Sequence, residues 1–196
     1  KRGRAHALPR FAYTGRVSSN ETIWLVGMMG AGKSLVGRRL AQALKLPFID
    51  SDKEIERQAG CSIPEIFERD GEAGFRSLEA DVIRGLGERT QVVALGGGAA
   101  SQPGMIELLK SRGTIIYLRA SIETLLERIG DARSRPMLHG LSPEQLAERL
   151  ESLQREREPS YSQAHITVES NQVRASNVVD QIVLALDERS SNQINT

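Results

Sequence analysis

The stretch Gly27-Met28-Met29-Gly30-Ala31-Gly32-Lys33-Ser34 constrains the fold of this chain more than any other. Ahead of it runs Thr22-Ile23-Trp24-Leu25-Val26, an apolar segment that predicts a buried strand. Behind it, Leu35, Val36, Leu40, Ala43 and Leu44 recur at helical spacing. Strand, glycine-rich turn, Lys-Ser and helix in that order make the phosphate-binding P-loop pattern. The glycines let backbone N–H groups turn inward around an anion, and the helix start adds its positive dipole end. Lys33 is expected to reach the β- and γ-phosphates of a nucleoside triphosphate, and Ser34 to offer its hydroxyl to Mg²⁺.

Further strands are predicted at Pro47–Asp50, Gln91–Leu95, Thr114–Leu118 and Ile166–Val168. Helices are predicted between them: Lys53–Ala59, a segment opening at the capping box Ser62-Ile63-Pro64-Glu65, then Phe75–Leu86, Met105–Lys110 and Ser121–Ile129. A second capping box, Ser142-Pro143-Glu144-Gln145, starts a helix that runs towards Arg157 and is expected to stop before Pro159. Val178–Leu186 reads as an amphipathic closing helix. Alternating strands and helices imply an α/β fold: a three-layer α/β/α sandwich on a five-stranded parallel sheet. Residues 130–140, basic and bounded by Gly130 and Gly140, suit a mobile lid.

The 196 residues fit one domain, expected over 21–189, with a frayed polar tail at 190–196. Net charge is unevenly spread. Residues 1–20 carry Lys1, Arg2, Arg4, Arg10 and Arg16 and no acid, so their +5 against a whole-chain +1 leaves −4 elsewhere. This arm is expected to be flexible. No apolar run is long enough to span a membrane. Cys61 is the one cysteine, which suits a reducing, cytoplasmic setting and excludes an internal disulfide. It reads as a packing residue, with no histidine near it in sequence.

Ligands in open parallel sheets bind beyond the carboxyl ends of the strands. That rule gathers the P-loop, Asp50, Asp52 and Gly96-Gly97-Gly98 on one rim. Of the strands, only the second ends in an acid, so Asp50 is the expected metal-assisting carboxylate, acting through water because Mg²⁺ dehydrates reluctantly. The alternative is that Asp50 caps the next helix. Asp52 could face an acceptor and orient or deprotonate a hydroxyl. Three consecutive glycines exceed what a turn needs and let a ligand approach the backbone closely.

Taken together, these residues resemble the shikimate kinase family, a nucleoside-monophosphate-kinase-like group of P-loop folds. The resemblance rests on Gly27–Ser34, Asp50-Ser51-Asp52, Ser62–Phe67, Gly71-Glu72 leading to Phe75-Arg76, and Leu95–Gly98. Arg135-Pro136-Met137-Leu138 and Arg157-Glu158-Pro159-Ser160-Tyr161 complete an ordered set spanning about 22–189. It implies transfer of the ATP γ-phosphoryl group to the 3-hydroxyl of shikimate, with Mg²⁺, by a monomer that needs neither nucleic acid nor membrane. On the nucleotide side it implies contacts from Gly30, Ala31, Gly32, Lys33, Ser34, Leu35, Arg128 and the lid residue Arg135. On the acceptor side, Asp52 resembles the acid that binds the hydroxyls, Arg76 and Arg157 the pair that holds the carboxylate, and Gly97 with Gly98 the backbone contact. Lys33, Asp52 and Arg135 are the implied catalytic residues. The physics agrees: guanidinium forks suit a carboxylate, and phosphoryl transfer needs positive charge over the transferring oxygens.

The chain departs from that pattern at three places. Leu35 follows Ser34 where many relatives carry a second hydroxyl, Glu156 sits beside Arg157, and Val173 is apolar where some relatives place an arginine near the adenine. His139 and His165 have no evident partners in the sequence. Competing readings are a different acceptor on the same fold, such as gluconate or a nucleoside monophosphate, a nucleotide-binding module without turnover, and nucleic-acid binding through residues 1–20.

Overall fold

The computed structural model describes residues 21–129, 141–171 and 173–194. The basic arm and the segment 130–140, with Arg135 and His139, lie outside them. Five strands form one parallel sheet in the order β2-β3-β1-β4-β5. They are β1 (Thr22–Val26), β2 (Phe48–Asp50), β3 (Val92–Ala94), β4 (Gly113–Arg119) and β5 (Ile166–Glu169). Every residue of the central strand β1 is buried, as a parallel strand covered on both faces requires. The register pairs Leu25 with Ala94 on one side and Ile116 on the other, and Asp50 with Ala94. The chain therefore leaves β1, β2 and β3 at one rim, where the P-loop, Asp50 and the glycine triplet follow.

Seven helices accompany the sheet among the described residues: α1 (Lys33–Leu44), α2 (Ser51–Ala59), α3 (Ile63–Leu86), α4 (Met105–Arg112), α5 (Ile122–Ile129), α6 (Pro143–Tyr161) and α7 (Ala175–Ile194). α1 lies close on the sheet because Gly37 has no side chain. A Cβ there would come within 2.5 Å of Phe48 and 3.0 Å of Leu25. α1 also packs on α7, while α3, α4 and α6 meet around a short 3-10 turn at Ala99–Ser101. Both expected capping boxes form. The Glu65 carboxylate accepts the Ser62 backbone N–H at 2.7 Å, and Gln145 does the same for Ser142 at 2.9 Å. Gly71 breaks α3 locally (φ 68°, ψ −176°), whereas Gly74 stays within it. No helix of the described residues is long and apolar enough to cross a membrane.

Three expectations need correction. α6 does not stop before Pro159 but continues to Tyr161, whose burial at 1% exposure outweighs the missing N–H of the proline. The closing helix is not confined to Val178–Leu186 but spans Ala175–Ile194, where the Ser190 and Ser191 hydroxyls bond back to the Leu186 and Asp187 carbonyls at 2.9 Å each. His165 does have a partner: its Nδ1 accepts the Ile115 N–H at 2.9 Å.

Candidate active site

The loop after β1 carries its strain on glycines. Gly27, Gly30 and Gly32 have φ of 138°, 82° and 93°, a region costly for other residues. Gly32 is the N-cap of α1, so Lys33 and Ser34 form its first turn, at the positive end of the helix dipole. Lys33 is 9% exposed and donates to the Gly27 and Met28 carbonyls at 2.8 and 3.0 Å, lying along the loop that it would serve. The Ser34 hydroxyl donates to Asp50 Oδ2 at 2.5 Å. Asp50 occupies the N-cap position of α2, yet its side chain makes no capping bond there. Its carboxylate is turned to the P-loop instead, which favours the metal-side reading over the capping one. Arg128 on α5 lies over the same loop, donating to the Ala31 carbonyl at 3.4 Å and to the Ser170 carbonyl. Leu35 is 52% exposed, and half-buried Val173 packs on the core.

Beside the loop is a cavity of about 330 Å³ lined by Asp52, Arg76, Gly97, Gly98 and Arg157, together with Met29 of the P-loop. Each acceptor-side residue expected from the sequence is therefore on one pocket. Asp52 comes from the first turn of α2, Arg76 from α3 beyond the Gly71 break, and Arg157 from the end of α6. The glycines are the hub that lets them converge. A Cβ at Gly96 would lie 2.6 Å from Asp52 Oδ1, one at Gly98 2.8 Å from Arg76 Nη2, and one at Gly97 3.3 Å from both Arg157 Nη1 and the Met29 nitrogen. Met29 thus joins the phosphate loop to the acceptor cavity. Arg157 is 3% exposed and donates through Nη1 to the Gly97 carbonyl at 2.9 Å, while neighbouring Glu156 points to solvent. Ile63, Pro64, Phe67 and Phe75 supply an apolar wall, with the two phenylalanine rings 4.6 Å apart.

Several residues of the site were not anticipated. Glu79 is 1% exposed, pairs with Arg76 at 2.7 Å and accepts Gln102 Nε2 at 2.6 Å. Burial pushes its carboxyl above the ordinary range, with Arg76 opposing that shift and Asp52 adding to it. Its position three residues after Arg76 on a helix was the available signal. Fully buried Ser51 accepts the Gly96 N–H at 2.9 Å and fastens the start of α2 to the glycine triplet. Tyr161 donates to the Gly97 carbonyl beside Arg157. Cys61 is half-buried against the core, consistent with a packing role.

The donor set fits Mg²⁺. Ser34 and Asp50 are hard oxygen donors at the point where phosphates would enter, and Mg²⁺ is usually held by one or two such groups plus substrate phosphates.

Comparison with known proteins shows which family the chain is similar to. A family model described as "Shikimate kinase" matches residues 29–187. The "Shikimate kinase" of Halorhodospira halophila is 48% identical over 171 residues, covering 86% of this chain and 95% of the relative. That of Synechococcus sp. (strain CC9605) is 46% identical over 170 residues, covering 86% and 83%. A solved structure, "Shikimate kinase from Acinetobacter baumannii in complex with shikimate", superposes with a TM-score of 0.80 at 41% identity, covering 86% of this chain and 94% of that one.

Proposed function

Since this chain belongs to the shikimate kinase family, we propose that the cavity between the P-loop and α3 holds shikimate and that the residues lining it carry the roles set out below. The reaction is ATP-dependent phosphorylation of shikimate, at its 3-hydroxyl. The observation that carries the residue assignment is the convergence of Asp52, Arg76, Arg157 and the glycine triplet on one pocket that shares Met29 with the phosphate loop.

Shikimate is a small carboxylate bearing hydroxyls. Arg76 and Arg157 hold the carboxylate, because guanidinium forks match its geometry and the cavity's partial burial strengthens the attraction. Asp52 accepts the hydroxyl to be phosphorylated, orienting its oxygen and taking its proton as the bond to phosphorus forms. Lys33 leaves the Gly27 and Met28 carbonyls for the β- and γ-phosphate oxygens. Gly30, Ala31, Gly32 and Ser34 line the phosphate side, and Arg128 lies towards the rest of the nucleotide. Arg135, outside the described residues, is assigned to the transferring phosphoryl group on the strength of the Arg135–Leu138 motif. Ser34 directly and Asp50 through water would hold Mg²⁺, which when bound offsets phosphate charge. The active unit is assigned as a monomer, as the family resemblance implies. The lone thiol of Cys61 supports a cytoplasmic setting.

The test is a coupled assay of ADP formation with ATP, Mg²⁺ and a panel of acceptors. Turnover is expected with shikimate and not with gluconate or nucleoside monophosphates. ADP formed equally without shikimate, or faster with gluconate, would overturn the assignment of this cavity.

A further inference from the structure

The end of α6 meets the glycine triplet through a single atom. The Gly97 carbonyl oxygen accepts two donors, Arg157 Nη1 at 2.9 Å and the hydroxyl of Tyr161. The two side chains are four residues apart and so share one helix face. Both are sealed from solvent, at 3% and 1% exposure. The Tyr161 ring is held independently, 5.1 Å from the Tyr117 ring on β4, and Tyr117 in turn donates to Glu158 on the same turn of α6 at 2.8 Å. Tyr161 is thus a rigid, buried donor aimed at the peptide that Arg157 also uses.

We propose that Tyr161 is a positioning residue for the acceptor carboxylate: its hydroxyl fixes the Gly97 peptide plane and, through it, the Arg157 guanidinium. A carbonyl oxygen offers two lone-pair directions. With Tyr161 on one, the other faces Arg157, and the guanidinium, which lines the cavity and also meets the Tyr161 hydroxyl directly, is set in place. Glycine is the residue whose peptide would otherwise turn most freely. Gly97 is also closely surrounded: a Cβ added there would lie 3.3 Å from both the Met29 nitrogen and Arg157 Nη1. Burial holds the Tyr161 phenol up at about 12, so it remains a donor throughout the neutral range.

This inference rests on the assignment of Arg157 to the shikimate carboxylate, and the experiment separates the two. Tyr161→Phe keeps the ring and removes the donor. Shikimate KM is expected to rise about tenfold, the equivalent of one lost hydrogen bond of about 1.4 kcal/mol. The KM for ATP and kcat are expected to stay within about twofold, and a thermal melt checks that the variant is folded. Combined with Arg157→Lys, the tyrosine change should add little to the effect of the lysine alone, because both act through one contact. A shikimate analogue lacking the carboxylate should be turned over equally by wild type and Tyr161→Phe. Replacing Tyr161 by p-aminophenylalanine restores a donor at the same place and should return KM towards wild type. It also carries the test if the phenylalanine variant does not fold, since an unrestored KM in a folded protein overturns the proposal. An unchanged shikimate KM in Tyr161→Phe, full additivity with Arg157→Lys, or equal loss of both substrates likewise overturns it. If Arg157→Lys itself leaves shikimate KM unchanged, the carboxylate assignment falls instead.

Discussion

Arg76 and Glu79 are paired across one turn of α3 at 2.7 Å, with the carboxylate sealed at 1% exposure and the guanidinium edge left in the cavity wall. A buried charge held this way stabilises little overall, because desolvation offsets the attraction. Its effect is on direction: Glu79, itself bonded to Gln102, holds Arg76 towards the pocket. Glu79→Gln should therefore raise shikimate KM about tenfold, with ATP KM unchanged and a small change in melting temperature. The pH dependence provides a second readout. Because the folded carboxyl titrates above its ordinary 4.5, the folded state binds more protons than the unfolded state in the window just above that value. Glu79 thus makes stability fall as pH rises through the window, and the Gln variant should lose that slope. Urea denaturation of both proteins across the window checks it. Identical slopes in the two would count against burial as the cause.

Two glycines at the site are predicted to fail in different ways. Gly98 has φ −106° and ψ −9°, which alanine adopts without strain, and the atoms a Cβ would meet belong to the end of the Arg76 side chain, at 2.8 and 3.0 Å. Gly98→Ala should leave stability almost intact and weaken shikimate binding about tenfold or more by displacing Arg76. Gly27 has φ 138°, and a Cβ there would lie 2.5 Å from the Leu118 carbonyl oxygen, which is backbone and cannot move aside. Gly27→Ala should cost about 1–3 kcal/mol or more in stability. At about 2–4 °C per kcal/mol for a chain of this size, the loss is measurable in a thermal melt. The prediction is wrong if Gly98→Ala melts as early as Gly27→Ala.

Asp52 and Asp50 sit at the same junction but are predicted to act on different ligands. Asp50 is bonded to Ser34 on the phosphate side, whereas Asp52 lines the acceptor cavity. Asp52→Asn should lower kcat by about 10²–10⁴, the usual contribution of a positioned base, with ATP affinity by calorimetry nearly unchanged. Asp50→Asn should instead raise the Mg²⁺ concentration needed for half-maximal rate. If both variants lose ATP affinity equally, the division of labour between them is misassigned.

The sequence was most legible where local chemistry alone decides structure. The P-loop, both capping boxes and the five strands follow from spacing and side-chain type, because each is set within a few residues. What it hid were contacts made across the chain. Glu79 looks like any helical acid until the sheet places Gln102 and Gly96 beside it. Pro159 reads as a helix stop until Tyr161 is seen to be buried against Tyr117, when tertiary packing outweighs the local preference. Ser51, between two acids, gives no local sign that it fastens Gly96.

His165 is the remaining instance of a partner the sequence concealed, and it yields a prediction about acid stability. Its Nδ1 accepts the Ile115 N–H at 2.9 Å, and its own backbone N–H donates to the Ile115 carbonyl at 2.9 Å, so the residue fastens the start of β5 to β4. An accepting Nδ1 requires the imidazole to be neutral. Burial, reinforced by the charges of Arg189 and Lys110, holds its pKa below the ordinary 6.5. The unfolded chain therefore binds a proton at higher pH than the folded one does. The stabilising contribution is fully present above 6.5 and is lost as pH falls through the lower folded value. His165→Gln, whose amide oxygen can accept the same N–H without titrating, should remove this part of the acid sensitivity. Urea midpoints from pH 7.5 down to pH 5, buffer conditions of about that span, should fall less steeply for the variant than for wild type. Parallel curves would mean that the imidazole takes up its proton alike in the folded and unfolded states, and that the bond to Ile115 contributes nothing to the pH response.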